Sequence, residues 1–294
     1  MELKEYLKTN AARIEKRLGE LVATDCSALH STLFEAARYS LLGHGKRLRP
    51  MLALATTEML GGDLNVALSP ACTLEMVHTY SLIHDDLPSM DDDDFRRGKE
   101  SLHKAYDEAT AILTGDYLIT YAFEVIATAP GLTAEQRLAL ITTLSQRSGG
   151  DGMIAGQIAD MASEDKVSSL EVLKQIHYNK TSALIAASIE FGAIVADVSR
   201  DVSAKLREFG YIIGLAFQIV DDILDVTSTT ETLGKPAQSD IENKKSTYVS
   251  LLGLEDARRR ATELITTASE LLEEIPYDTS RLAAISEMIL NRAS

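Results

Sequence analysis

Tryptophan is absent from the sequence, cysteine occurs twice, proline six times, and aromatic residues make up 5%. The two cysteines, Cys26 and Cys72, lack metal-ligand spacing and are too few for a disulfide framework, which fits a reducing compartment. The N-terminus, MELKEYLKTN, has no apolar core of the kind a secretory signal needs. No stretch approaches the roughly 18 consecutive apolar residues of a membrane-spanning helix. The longest candidates are 210–220, which is too short, and 183–196, which carries Glu190. Basic charge is scarce as well: 29 Lys+Arg face 44 Asp+Glu, a net −15. That sign opposes nucleic acid, whose binding draws on cationic contacts, and it opposes an anionic membrane surface. These absences describe a cytoplasmic protein that neither inserts into membranes nor binds nucleic acid.

What remains is an ordinary globular composition, 45% hydrophobic and 25% charged, with enough residues for a full core. The periodicity is helical almost throughout. Leu3, Leu7, Ala11, Ile14, Leu18 and Leu21 fall on one helix face, as do Val202, Leu206, Phe209, Ile213, Phe217 and Val220. Ser69-Pro70 reads as an N-cap followed by proline at the first helical position. Thr133 with Gln136, and Ser168 with Glu171, have capping-box spacing. Strand alternation is scarce, and no Asn-Gly or Asp-Gly turn joins two apolar alternating runs. Breaks fall at 43–50, 61–63, 130–131, 149–152 and Pro276, and none resembles an interdomain linker. A longer break at 227–246 has the length of a lid or binding loop. The sequence therefore predicts one all-α domain spanning 1–294, a large bundle of about ten helices. The segments 74–87, 111–129 and 181–195 are apolar enough to be buried on most sides.

Two aspartate clusters end core-like helices. One is Asp85-Asp86-Leu87-Pro88-Ser89-Met90-Asp91-Asp92-Asp93-Asp94, and the other is Asp221-Asp222-Ile223-Leu224-Asp225. In the second, Asp221 and Asp225 are four apart and share a helix face. Gathered carboxylates repel one another unless a divalent cation lies between them, and oxygen-only ligands suit Mg²⁺ or Mn²⁺. Neither cluster has the alternating ligands and central glycine of an EF-hand. Cations accompany the acids: Lys46, Arg47 and Arg49 in a Gly/Pro-bounded turn, then Arg96 and Arg97, then Lys180, Lys235, Lys244 and Lys245. Arginine forks onto phosphate oxygens and lysine acts as a point charge. An apolar bundle bearing both sets implies a ligand with phosphate ends and a greasy body.

HDDLPSMDDDDFRRGK at 84–99 followed by FQIVDDILD at 217–225, with GHGKRLRP at 43–50 and NKKSTYVSLLGLE at 243–255, resembles the short-chain trans-isoprenyl diphosphate synthases, most closely the bacterial farnesyl diphosphate synthases. The resemblance covers nearly the whole chain. It implies an all-α bundle around a deep central cavity, generally a homodimer. It also implies that Asp85, Asp86 and Asp91, with Asp221, Asp222 and Asp225, bind three Mg²⁺ that grip an allylic diphosphate. Arg96, Lys180 and Lys235 would contact the same diphosphate. Lys46, Arg49, His78 and Arg97 would hold isopentenyl diphosphate, and Thr181 and Gln218 would lie along the reacting carbons. Gln157 and Asp160 match a supporting helix motif. Either Lys244 or Lys245 matches a further phosphate-facing lysine, and the KST context favours Lys245. On a straight helix Asp85 shares a face with Asp92 rather than Asp91, so which of the two meets the metal stays open.

The chemistry so implied is ionisation of the allylic diphosphate, attack by the double bond of isopentenyl diphosphate, and loss of a proton. Tyr80 and Ser81, five and four residues before Asp85, match the positions on the pocket wall that limit chain length. Tyr80 suggests a fifteen-carbon product, farnesyl diphosphate, with a geranylgeranyl diphosphate synthase as the alternative. A class I terpene cyclase would generally have aromatic walls and a different second motif. A non-catalytic homologue would have no need of intact paired acid motifs. The chain ends Asn291-Arg292-Ala293-Ser294, with one cation where relatives often carry a basic tail.

Overall fold

A computed structural model describes residues 2–23, 29–42, 45–163, 169–227 and 246–291, so the break at 227–246 lies almost wholly outside the described residues. The chain is helical as expected. In order the helices are α1 (Leu3–Leu21), α2 (Ser31–Leu41), α3 (Leu48–Met59), α4 (Leu64–Asp85), α5 (Leu102–Ala105), α6 (Glu108–Thr128), α7 (Ala134–Ser148), α8 (Met153–Ala162), α9 (Leu170–His177), α10 (Ala183–Val195), α11 (Arg200–Thr227), α12 (Tyr248–Leu252), α13 (Leu254–Glu273) and α14 (Ser280–Leu290). The excess over ten comes from one-turn helices such as α5 and α12. No helix among the described residues is long and apolar enough to cross a membrane.

The core is built around α4 and α10. Every residue from Ala183 to Ala193 is buried, and α10 packs against α3, α4, α7 and α11. Each fully buried Leu or Ile contributes about 1.5–3 kcal/mol, so this helix anchors the bundle. Glu190, the residue that interrupts its apolar run, is 7% exposed and accepts a forked pair of bonds from Arg147 on α7, at 2.9 and 3.1 Å. A buried charge persists only when paired in this way.

Three local expectations change. Helix α4 starts at Asp63, whose carboxylate accepts from the Asn65 backbone N–H, so Pro70 lies inside the helix instead of opening it. An interior proline removes one backbone bond, and burial of the helix on both sides of it outweighs that loss. Helix α9 is capped by Ser169, which accepts from Val172; Ser168 lies outside the described residues. The Thr133–Gln136 capping box is present. Helix α6 is two-faced: Ala111, Leu118, Ala122 and Ile126 are buried, while Ile112 and Leu113 are exposed.

A small antiparallel hairpin, β1 (Phe95–Arg96) with β2 (Lys99–Glu100), pairs Arg96 with Lys99. Its turn is Arg97-Gly98, both with positive φ (54° and 77°), the backbone a two-residue hairpin prefers. The polar strands hid it from an apolar alternation pattern.

Candidate active site

The first acidic motif straddles the end of α4. The helix stops at Asp85, and the chain turns so that the Asp91 N–H donates to the Asp85 carbonyl at 2.9 Å. Asp92 has φ 51°, and its carboxylate lies 4.0 Å from His103 Nε2. Straight-helix periodicity, which pairs Asp85 with Asp92, therefore does not apply beyond residue 85. Burial pushes the Asp85 carboxyl up to about 6; Lys180 opposes the shift and Asp91 adds to it. Asp86 points elsewhere. It accepts from Arg96 Nε at 2.8 Å, and Arg96 reaches Asp93 at 2.7 Å as well. Burial raises Asp86 to about 6 despite that guanidinium.

The second motif is on α11. Asp221 lines a cavity of about 630 Å³ together with Asp85. Asp222 and Asp225 are buried, 3% and 2% exposed. Asp222 accepts from Gln218 Nε2 at 3.2 Å and from the Tyr248 backbone N–H at 2.8 Å. It thereby ties the first residue of α12 to α11. Thr181 Oγ1 donates to Gln218 Oε1 at 2.9 Å, which completes a chain from Thr181 through Gln218 to Asp222.

Lys180 and Thr181 do not open a regular helix. They lie in a single π-helical turn, Tyr178–Ser182, between α9 and α10. Such turns mark functional sites because the extra residue redirects side chains. Two glycines seat it. A methyl at Gly156 on α8 would overlap the Lys180 backbone, and one at Gly214 on α11 would lie 2.6 Å from Ser182 Cα. Lys180 Nζ bonds Asp160 of α8 at 2.6 Å, which gives that carboxylate its supporting role.

Arginines gather at the cationic end. Arg49, His78, Tyr80, Ser81, Lys180, Thr181 and Gln218 line the same cavity as the two acids. Arg49 Nε is buried without a hydrogen-bond partner among the described residues. Burial lowers the Arg49 guanidinium to about 10, with Glu75 opposing and Arg97 reinforcing the shift. His78 is held well below its ordinary value by burial and by Arg49, Arg97, Arg96 and Arg47, so it is neutral. Arg96 and Arg97 line an adjoining cleft with Asp86. Lys46 is exposed at the turn. Arg47 faces inward instead: with φ 51° and 1% exposure, it bonds Glu15 at 2.5 Å and Glu75 at 2.6 Å. Lys235, Lys244 and Lys245 lie outside the described residues.

Sequence reasoning missed Tyr248, whose N–H holds Asp222, and the apolar wall of Met153, Ile154, Ile158, Met161 and Phe217. Ser250 at the third helical position completes a capping box with Thr247 and was the available signal for α12. Among the described residues no three His, Cys, Asp or Glu side chains converge on one point as a complete metal cage. The donors that do face the cavity are the carboxylate oxygens of Asp85 and Asp221, and burial, with Asp91 adding to it, holds Asp85 above the usual carboxylate range. They fit Mg²⁺, which takes few protein ligands and fills its shell with water and phosphate.

The sequence model of the family described as Polyprenyl synthetase matches residues 30–285. The chain is 42% identical to the farnesyl diphosphate synthase of Haemophilus influenzae over 96% of its own length and 97% of that protein's. It is 45% identical to a chloroplastic geranylgeranyl pyrophosphate synthase of Capsicum annuum, over 95% of this chain and 75% of the other. Among solved structures, a farnesyl/geranylfarnesyl diphosphate synthase of Zymomonas mobilis superposes with TM-score 0.87 at 37% identity, covering 98% of each chain. A Helicobacter pylori geranyltransferase complexed with magnesium and isoprenyl diphosphate gives TM-score 0.85 at 36% identity, covering 97% of this chain and 96% of that one.

Proposed function

Because the chain belongs to the polyprenyl synthetase family and is a prenyltransferase, we propose that it condenses isopentenyl diphosphate with dimethylallyl and then geranyl diphosphate and releases farnesyl diphosphate. One observation carries the product length: Tyr80, 7% exposed, walls the cavity five residues before Asp85 on α4. At about 1.5 Å per helical residue it lies some 7 Å below the acidic rim. Relatives make both fifteen- and twenty-carbon products, so depth decides between them.

Asp85, Asp91 and Asp221 would hold Mg²⁺, three ions in the family pattern, against the allylic diphosphate, and Mn²⁺ suits the same oxygens. When bound, the ions neutralise that diphosphate and make it a better leaving group. Asp86, Asp222 and Asp225 belong to the same motifs. Asp86 aims Arg96, and Asp222 aims Gln218. Lys180, Arg96 and Lys235 bind the allylic diphosphate. Arg49, Arg97, Lys46 and neutral His78 bind isopentenyl diphosphate, with Lys245 a further phosphate contact. The Thr181 hydroxyl donates a hydrogen bond to Gln218 Oε1, which leaves the Thr181 oxygen lone pairs for the cavity. That oxygen stabilises positive charge developing on the allylic carbon. The apolar wall excludes water from the cation. The leaving diphosphate takes the final proton. Of the 227–246 segment expected as a lid, residues 228–245 lie outside the described residues.

One incubation with isopentenyl and dimethylallyl diphosphates and Mg²⁺, read by mass spectrometry, tests the reading. A fifteen-carbon product supports it; a cyclic hydrocarbon, or no incorporated isopentenyl unit, rules it out. Tyr80→Ala is expected to shift the main product to twenty carbons, and an unchanged product would remove Tyr80 as the limit. Mg²⁺ binding should also release protons. Asp85 rises to about 6, so near pH 6 a substantial share is protonated, and affinity falls as pH drops through that value. Calorimetry in buffers of different ionisation enthalpy measures the release, which should fade by pH 8.

The enzyme acts as a homodimer in the cytoplasm. Ile112 at 43% and Leu113 at 60% exposure, beside half-buried Tyr117, give α6 an outward apolar face suited to a second copy. Leu113→Glu is expected to halve the mass seen by light scattering; an unchanged dimer would move the interface elsewhere.

A further inference from the structure

One turn above Tyr80 on α4, toward the acidic rim, a second ring lines the cavity. The Tyr80 and His84 rings meet edge to face, with centroids 5.6 Å apart at 86°. His84 also lines the cavity. Its Nε2 lies 3.1 Å from the Ile112 carbonyl on α6. A carbonyl only accepts, so Nε2 carries the proton and the tautomer is fixed. The imidazole reaches that carbonyl because residue 115 is glycine: a methyl there would overlap the His84 ring. Gly115 is buried in the middle of α6, where glycine weakens a helix relative to alanine. Its presence is explained by the ring it admits.

We propose that His84, seated on α6 through Gly115, is a specificity-determining residue that holds Tyr80 upright and so fixes product length. The proposal deepens the prenyltransferase reading above and rests on it. Tyr80 alone is a side chain with two rotatable bonds, and a growing apolar chain could push it aside. An imidazole tied to the neighbouring helix blocks that movement. The barrier is then a pair of rings anchored to two helices.

The two partners predict opposite results. His84→Ala frees Tyr80 to swing, and the ratio of twenty- to fifteen-carbon product should rise about tenfold, the scale of discrimination a small pocket change gives. Gly115→Ala drives the imidazole off α6 and toward Tyr80, which shortens the cavity, and ten-carbon product should accumulate. In the double variant the new methyl has no ring to displace, so the product profile should match His84→Ala. The assay uses the full chain with isopentenyl and dimethylallyl diphosphates and mass spectrometry, with helical content checked by circular dichroism. Equal profiles in both single variants, shifts in the same direction, or a double variant intermediate between the two would overturn the proposal. Should Gly115→Ala not fold, His84→Ala alone decides, since a profile equal to the unmodified chain's refutes the brace. All profiles are read relative to the unmodified chain. A twenty-carbon product from the unmodified chain overturns only the product assignment, and absence of any condensation overturns the activity itself.

Discussion

Asp221→Ala should lower kcat/KM by about a thousandfold and leave the melting temperature almost unchanged. The side chain is half-buried and lines the same cavity as Asp85. Removing a group that stabilises charge developing in the transition state costs on that scale. A half-buried carboxylate facing a cavity contributes little to folding. Asp86→Ala makes the informative contrast. Its carboxylate is 2% exposed and holds Arg96, so truncation leaves a partly buried guanidinium with only Asp93. Loss of a charged hydrogen bond costs about 1–3 kcal/mol. Asp86→Ala should therefore lower both turnover and melting temperature, whereas Asp221→Ala separates the two. Kinetics and thermal melts on the same preparations measure this, and near-normal turnover of Asp221→Ala would end the metal assignment on α11.

Gly156→Ala should cost about a hundredfold in kcat, because displacement of a reacting group by roughly 1 Å has that effect. The added methyl cannot coexist with the Lys180 backbone, so the π turn must move. Movement draws Lys180 away from Asp160 and Thr181 away from Gln218, and both hydrogen bonds start from that turn. Alanine also favours the helix by up to about 1 kcal/mol, which offsets part of the strain. The expected signature is lost turnover with retained helicity. Gly214→Ala pushes on the same turn from α11 and should act alike. Gly150→Ala, where nothing lies within 4 Å, is the control. Wild-type kcat in Gly156→Ala would show that the turn does not position these side chains.

Periodicity made the fold class legible, since apolar residues at steps of three and four admit little else. It failed where two structures share one pattern. Ser69-Pro70 imitates a helix start, but Asp63 is an earlier cap and buried packing carries the helix through the proline. The apolar content of 111–129 predicts burial on most sides, although one side of α6 faces outward. Hydrophobicity alone does not say whether the partner is the same chain. At the site, the acid motifs were legible because few other uses exist for clustered carboxylates at core helix ends. The division of labour within them was not. It depends on where α4 stops, which gives Asp91 to Asp85, and on tertiary bonds that commit Asp86 to Arg96 and Asp222 to Tyr248. Arg47 shows the same limit, being grouped by sequence with two phosphate-facing cations yet turned inward by a left-handed backbone.

That inward arginine reaches far along the chain. Its guanidinium joins Glu15 on the first helix to Glu75 on the fourth, and the residues on either side of it are Lys46 and Leu48, with Arg49 two residues on. The shape of the cationic rim thus depends on an acidic residue that never approaches a substrate. Among relatives, positions 15, 47 and 75 should vary in concert, with a change at one tolerated only when the others compensate. An evolutionary record of the diphosphate end of the pocket would then be written partly in a helix far outside it.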